Sequence, residues 1–379
     1  MSGLALSGAR VFDGTALRDG LAVVIEDGRI AAVVPSDAVP RGATVQRVEG
    51  LLAPGFIDVQ VNGGGGVLFN DTRTVEGIAA IGAAHRRFGT TGFLPTFITD
   101  TRERMAEAMA ASDAAMAAGV PGVLGIHIEG PFFNPERKGV HREDYIRAME
   151  EADIALLTAP GRGKRLVTLA PERVPLAAIV RLTGAGCLVA AGHTAATYEE
   201  VVAARAAGMT GFTHLFHAMP PLAGRAPGPV GAALDDREAW VSLIVDVVHV
   251  SVPSLRVAIA ARGWERMLLV TDAMPSVGTD LRSFVLQGRT INRANGRLTI
   301  VGETGDVLAG SDLDMASAVR NTVAAVGLPL EAALHMASRA PAEFLGLGGE
   351  LGRIAPGYRA SLVLLDDDLR VRATWIDGR

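Results

Sequence analysis

Cysteine is nearly absent from this 379-residue chain: the one thiol, Cys187, falls inside an apolar stretch. That excludes a disulfide framework and any cysteine-based metal motif. Lysine is almost as scarce, with only Lys138 and Lys164, so arginine carries nearly all the positive charge. There is no basic excess either. A net charge of -5 and a pI near 5.9 argue against nucleic acid or an anionic membrane as the partner. No apolar run reaches the roughly 18 residues of a spanning helix, since the densest, 241–250, is broken by Asp246 and His249. The first residues lack a charged region followed by an uninterrupted apolar one, so no secretory signal is expected and the cytoplasm is the expected location. Apolar residues make up 49% of the chain and charged residues 20%, which is the balance of a soluble globular protein with a large core.

The texture changes twice along the chain. Residues 4–10, 21–26, 29–35 and 44–49 read as short strands, with Asp27-Gly28 as a hairpin signal, and the texture returns at 361–366 and 371–376. Residues 1–52 plus 350–379 are therefore expected to form one small β-sandwich domain from both termini. Between them, 53–349 alternates. Strands are expected at 55–61, 92–98, 122–128, 165–169, 187–192, 211–215, 241–247 and 267–271, separated by helices such as 74–87, 102–118, 174–183, 197–207 and 253–262. In the helix at 197–207, Val201, Val202 and Ala206 are assigned to the apolar side. Eight strands over this length predict a (β/α)8 barrel of the α/β class; a doubly wound sheet is the alternative, but no G-x-G-x-x-G or Walker pattern follows any strand. The segment 277–306, with turn signals at Asn295-Gly296 and Gly302, is expected to decorate the last strand. Met105, Met109 and Met116 recur at helical spacing and read as core. The run 63–66 is either a phosphate cradle or a flexible loop.

In such a barrel the chemistry sits at the C-terminal ends of the strands. The polar residues there are Gln60 and Asn62, Glu129, His193, His214, Asp246 and His249, and Asp272. Two imidazoles and a carboxylate, from Glu129, His193 and His214, suit zinc or iron(II) with a position open to water, whose pKa the metal lowers. Asp272, ending MLLVTD, is placed to move a proton, or else caps a turn. Taken alone, Glu129 also reads as a solvated turn residue. His141 reads either as a group that polarises a substrate carbonyl or as a solvated loop residue. His85 and His335 read as structural, and His127 as a core residue beside the site. Arg225, in AGRAPGPVG, and His249 are candidates for an anionic substrate group.

Seven segments together resemble the N-acetylglucosamine-6-phosphate deacetylases of the amidohydrolase superfamily: APGFIDVQVNGGGG, GIHIEGPFFNPERKGVH, AGHTAAT, THLFHAMPPLAGR, VDVVHV, VTDAMP and LAGSDLDM. The resemblance implies one divalent metal ion per subunit on Glu129, His193 and His214, Zn2+ first, with Fe2+, Co2+ or Mn2+ as alternatives. It implies Asp272 as general acid/base and His141 on the acetamido carbonyl. His249, Arg225 and the backbone of His217 and Ala218 would serve the sugar phosphate, with Gln60 and Asn62 also at the substrate. A homodimer is implied, with Arg225 and His249 able to reach the partner's site. The reaction implied is release of acetate from N-acetylglucosamine 6-phosphate.

Two positions depart from common patterns. Many amidohydrolases carry His-x-His after the first strand; here the residues are Gln60-Val61-Asn62, which leaves a second metal without its main ligands. The family commonly has asparagine where this chain has His217. Cyclic amidases of the same fold class use a carbamylated lysine at the end of the fourth strand, but the residues there are Leu169-Ala170-Pro171-Glu172, and Lys164 precedes the strand. Deacetylation of N-acetylgalactosamine 6-phosphate is the nearer alternative, because one hydroxyl separates the epimers. A non-enzymatic barrel kept for assembly is the remaining one.

Overall fold

The computed structural model describes residues 3–302 and 307–379. Among them, eight parallel strands lie in one sheet in chain order. They are β1 (Phe56–Val61), β2 (Thr90–Ile98), β3 (Gly125–Glu129), β4 (Lys164–Leu169), β5 (Leu188–Ala191), β6 (Gly211–Phe212), β7 (Trp240–Ile244) and β8 (Met267–Val270). The sheet closes on itself. A parallel bridge joins Val61 to Ala273, and the Asp272 amide donates to the Gln60 carbonyl at 3.0 Å. This is the expected barrel, with strands buried on both faces and therefore rich in Val, Ile and Leu rather than alternating.

The register aligns the strands' C-terminal ends. Glu129 lies opposite both Ile98 and Thr168, Leu169 opposite Ala191, Ala191 opposite Phe212, and Ile244 opposite Val270. Helices cover the outside, and their starts follow from local chemistry. Thr74, Thr101 and Thr197 each accept a hydrogen bond from the backbone N–H three residues on, and Glu200 completes a capping box with Thr197. In the helix Tyr198–Ala206 the buried pair is Val201 and Ala204, whereas Val202 and Ala206 are exposed. The apolar side assigned from sequence was thus one step round: a three-residue spacing keeps Ala204 over Val201, while the next residue turns about 100° away.

Several expected strands are cut short by backbone geometry. The stretch 4–10 divides into Leu4–Ser7 and Arg10–Phe12 at Gly8, whose φ of 108° lets the chain pass from one sheet to another. The strand expected at 211–215 ends at Phe212, because His214 has a φ of 33°. The terminal strands form two sheets. One orders Arg29–Pro35, Leu21–Glu26, Leu4–Ser7 and Thr44–Arg47; the other orders Val371–Trp375, Leu362–Leu365, Leu51–Pro54, Arg10–Phe12 and Leu17–Arg18. Their inner faces share an apolar cluster that includes Leu6, Val23, Ile30, Leu52, Leu362 and Trp375. The strand Leu51–Pro54 runs across the boundary expected at 52/53.

After β8 the strands Ser283–Leu286, Arg289–Ala294 and Arg297–Ile300 form an antiparallel meander with Asn295 and Gly296 in its turn, as their signals suggest; residues 303–306 of that segment lie outside the described residues. The run 63–66 is neither cradle nor loose loop. Gly63–Gly64 pairs with Val67–Leu68 across a turn in which Gly65 and Gly66 have positive φ, and the amides of Gly63, Gly65 and Gly66 donate to carbonyls of Ala273, Val277 and Pro275. Those donors are spent on the chain after β8. Met105 and Met109 are buried, Met116 packs against the same core, and Cys187 is buried with its thiol toward the Leu157 carbonyl.

The tightest point of the barrel wall is Gly125, with a φ of 147°; a Cβ there would stand 1.9 Å from the Lys164 carbonyl oxygen. Gly125→Ala is expected to part β3 from β4 and to cost more than about 4 kcal/mol, the range of severe single substitutions. Denaturant unfolding checks this, and a midpoint like the wild type's would show that the wall yields there.

Candidate active site

The ends of β3, β5 and β6 converge. Glu129 ends β3, His193 follows β5 by two residues, and His214 follows β6 by two. All three are buried, and one donor atom from each lies within 4.8 Å of the others. His214 Nε2 stands 2.9 Å from Glu129 Oε1 and 3.2 Å from His193 Nε2, which is 3.4 Å from the same carboxylate oxygen. His193 is set for ligation. Its Nδ1 donates to the Arg137 carbonyl at 2.9 Å, which leaves the Nε2 lone pair facing the cluster, and Phe133 stacks on its ring at 4.2 Å.

The electrostatics agree with that donor set. Burial lowers the His193 pKa and keeps the ring neutral. For Glu129 burial is outweighed by hydrogen bonds from His193 and His214, which hold the carboxyl well below its ordinary range. For His214 burial is likewise outweighed, by the Glu129 hydrogen bond and charge, and its pKa rises. Three lone-pair groups meet where a single shared proton cannot satisfy them all. A divalent cation can, so the residues fit a metal.

Asp272 faces this cluster from the end of β8. Gln60 Nε2 bridges the two carboxylates, 2.9 Å from Glu129 Oε1 and 3.1 Å from Asp272 Oδ1, and Asn62 Nδ2 reaches the same Asp272 oxygen at 2.6 Å. Burial, with the Glu129 charge nearby, pushes the Asp272 carboxyl up to about 7. His193, His214 and Asp272 have φ of 50°, 33° and 53°, and Phe216, Ala218 and Val247 on the same rim are also positive. Such strain in non-glycine residues concentrates at functional sites.

A cavity of about 500 Å³ opens over the cluster. Asn62, Glu129, His141, His193, His214, His217, Ala218, His249 and Asp272 all line it. His141 is buried, not solvated: its Nδ1 bonds Thr99 Oγ1 at 2.8 Å. Burial, with His193 beside it, holds its pKa well below the ordinary value. His249 is fixed through Nδ1 by Asp246.

Two expected substrate contacts do not line the cavity. Gln60 is turned to the carboxylates it bridges, and Arg225 stands exposed in the loop after β6. The remaining histidines are structural. His127 bonds Thr96 and Thr168 through its two ring nitrogens, His85 the Gly63 carbonyl, and His335 the Glu265 carbonyl. Lys164 opens β4 at the opposite rim, far from any role of a carbamylated lysine.

One rim residue went unread in the sequence. Glu172, just past β4, accepts from Thr194 Oγ1 at 2.6 Å, from the Ala195 amide at 2.7 Å and from Asn134 Nδ2 at 3.0 Å. It ties the loops after β3 and β5 together around His193, while the Thr194 amide donates to the Ala218 carbonyl. The signal was available, because Glu172 follows a strand end as Glu129 and Asp272 do. Met274 and Leu308, from the segment after β8, also line the cavity; they fall in VTDAMP and LAGSDLDM, but nothing in their residue type marked them as contacts.

A closed eight-stranded barrel with a buried Glu-His-His group at the C-terminal rim defines a class of hydrolase. A match to the amidohydrolase family model over residues 51–379 agrees, and residues 4–52 match the NagA composite domain. The chain belongs to the amidohydrolase family. It is 40% identical to an N-acetylgalactosamine-6-phosphate deacetylase of Shewanella sp. (strain ANA-3), over 99% of this chain and 95% of that protein. It is 35% identical to the N-acetylglucosamine-6-phosphate deacetylase of Haemophilus influenzae, over 96% and 95%. The N-acetylglucosamine-6-phosphate deacetylase structure from Pasteurella multocida superposes with a TM-score of 0.95 at 34% identity, covering 99% of this chain and 98% of that one. A mutant of the Mycobacterium smegmatis enzyme in complex with N-acetyl-D-glucosamine-6-phosphate gives 0.91 at 35%, covering 100% and 99%.

Glu172→Ala is expected to weaken divalent-metal binding by about 10- to 100-fold, the usual cost of losing a partner that orients a ligand. Calorimetric titration of metal-stripped protein measures it. Unchanged affinity would show that the loops hold His193 without the carboxylate.

Proposed function

We propose that the chain hydrolyses N-acetyl-D-glucosamine 6-phosphate to D-glucosamine 6-phosphate and acetate. The observation that carries this reading is the convergence of Glu129, His193 and His214 across Gln60 from Asp272, in a cavity of sugar-phosphate size. The similarity to deacetylases over nearly the full chain supports it.

Glu129, His193 and His214 would hold one divalent ion per subunit, with Zn2+ suited to two imidazoles and a carboxylate. When bound, such an ion supplies Lewis acidity that makes water nucleophilic near neutral pH. Asp272 would take a proton from the attacking water as its oxygen adds to the acetyl carbon. It then delivers the proton to the sugar nitrogen as the C–N bond breaks. A carboxyl near pH 7 suits both directions of transfer. Asn62 and Gln60 keep Asp272 aimed, and His141, held through Nδ1 by Thr99, donates from its other nitrogen to the carbonyl oxygen.

His249 and the backbone at His217 and Ala218 are proposed to meet the sugar phosphate. Arg225 is proposed to join them from the other subunit of a homodimer. Its exposure outside the cavity supports that role, as do the exposed Leu222 and Val247 on neighbouring rim loops. A cytoplasmic location follows from the charge of the substrate, which does not cross a bilayer unaided. Among the described residues no helix is long and apolar enough to cross a membrane. The division into 1–52 with 350–379 and 53–349 is proposed on the separate apolar cluster of the terminal sheets. A second reading, N-acetylgalactosamine 6-phosphate as substrate, is favoured by the 40% identity to the Shewanella protein.

Acetate release from metal-loaded protein is expected to be fastest with N-acetylglucosamine 6-phosphate and far slower with unphosphorylated N-acetylglucosamine. Release chiefly from the galacto epimer would move the assignment to the second reading. Asp272→Asn should keep the metal and lose about 10²- to 10⁴-fold in kcat, the range for a general acid/base; near-wild-type turnover would remove Asp272 from that role.

A further inference from the structure

We propose that the His217 side chain, and not only the backbone around it, reads the sugar hydroxyl at carbon 4, making His217 the residue that sets preference between the gluco and galacto epimers. The proposal rests on the deacetylase reading above. It starts from an unmatched atom. His217 lines the cavity, yet its buried Nε2 has no hydrogen-bond partner among the described residues. Buried polar atoms in native proteins are rarely left so, and one on a residue that lines a binding cavity is open to a partner that binds there.

The position of the ring says which part of the substrate that is. Four imidazoles form a row, His193, His214, His217 and His249, with ring centroids 4.9, 5.9 and 4.8 Å apart. The row begins at the donor set that must hold the acetamido group on carbon 2. His217 stands one ring beyond it, where the neighbouring ring carbons of a pyranose, carbons 3 and 4, would lie. His249 follows, anchored through Nδ1 by Asp246.

The chemistry of the atom favours a hydroxyl over the phosphate. Each imidazole nitrogen offers one donor or one acceptor, which a hydroxyl can answer in either sense. A phosphate calls instead for charged or multiple donors. Carbon 4 carries the hydroxyl whose direction alone differs between the epimers. A fixed nitrogen on one side of the ring therefore meets it in one epimer and misses it in the other.

The test is the ratio of kcat/KM for N-acetylglucosamine 6-phosphate over N-acetylgalactosamine 6-phosphate. It is measured for the wild type, for His217→Phe, which keeps the ring and removes both nitrogens, and for His217→Gln, which returns an amide nitrogen near the Nε2 position. His217→Phe is expected to shift the ratio about tenfold or more toward unity, with metal content unchanged, and His217→Gln to recover part of it. Equal losses on both epimers in both variants would overturn the proposal, as would a ratio unchanged within twofold. A wild type that binds metal but releases acetate from neither sugar would overturn the deacetylase reading itself, and this inference with it.

Discussion

The seam between the first and last barrel strands is the constraint on which the site depends. Closing the sheet there sets the Asp272 amide on the Gln60 carbonyl and bridges Val61 to Ala273. The same closure brings Gln60 within reach of two carboxylates that arrive from β3 and β8. Two buried like charges repel strongly at low dielectric, and Gln60 donates between them while Glu129 is compensated by its histidines. The outcome is a separation of roles by environment. One carboxylate is held ionised, and the other is pushed toward neutrality.

The rim around that seam is strained and is held by its polar connections. His193, His214 and Asp272 all occupy the left-handed region, at a cost of about 1–3 kcal/mol for each such residue. The strain turns each side chain inward just where its strand ends. Glu172 gathers the loops after β3 and β5, the Thr194 amide ties in the loop after β6, and Ser242 Oγ accepts from the His214 amide at 2.7 Å. The donor set thus comes from three strands, β3, β5 and β6, one residue from each, held in place by groups at the ends of their neighbours.

Above the donor set, the cavity is furnished by histidine more than by arginine. Arg297 is on its wall, but the row from His193 to His249 is the continuous polar feature. A row of imidazoles offers hydrogen bonds of fixed direction along the cavity wall. Arg225 stands exposed in the loop after β6, away from that row.

The sequence by itself determined the barrel, because alternating strand and helix patterns over some 295 residues leave few ways to bury their apolar faces. It also determined the donor set, since strand ends point functional groups to one rim whatever the detailed packing. The Asn295-Gly296 turn was legible for the same local reason. What the tertiary structure decided were matters of direction and partnership. Gln60 turned from substrate to carboxylates, His141 from solvent to cavity, Arg225 out of the cavity, and the glycines at 63–66 to the chain beyond β8. Each depends on which residue, often a hundred or more positions away, arrives alongside. Periodicity reports which face of an element is buried, but not what will be waiting there.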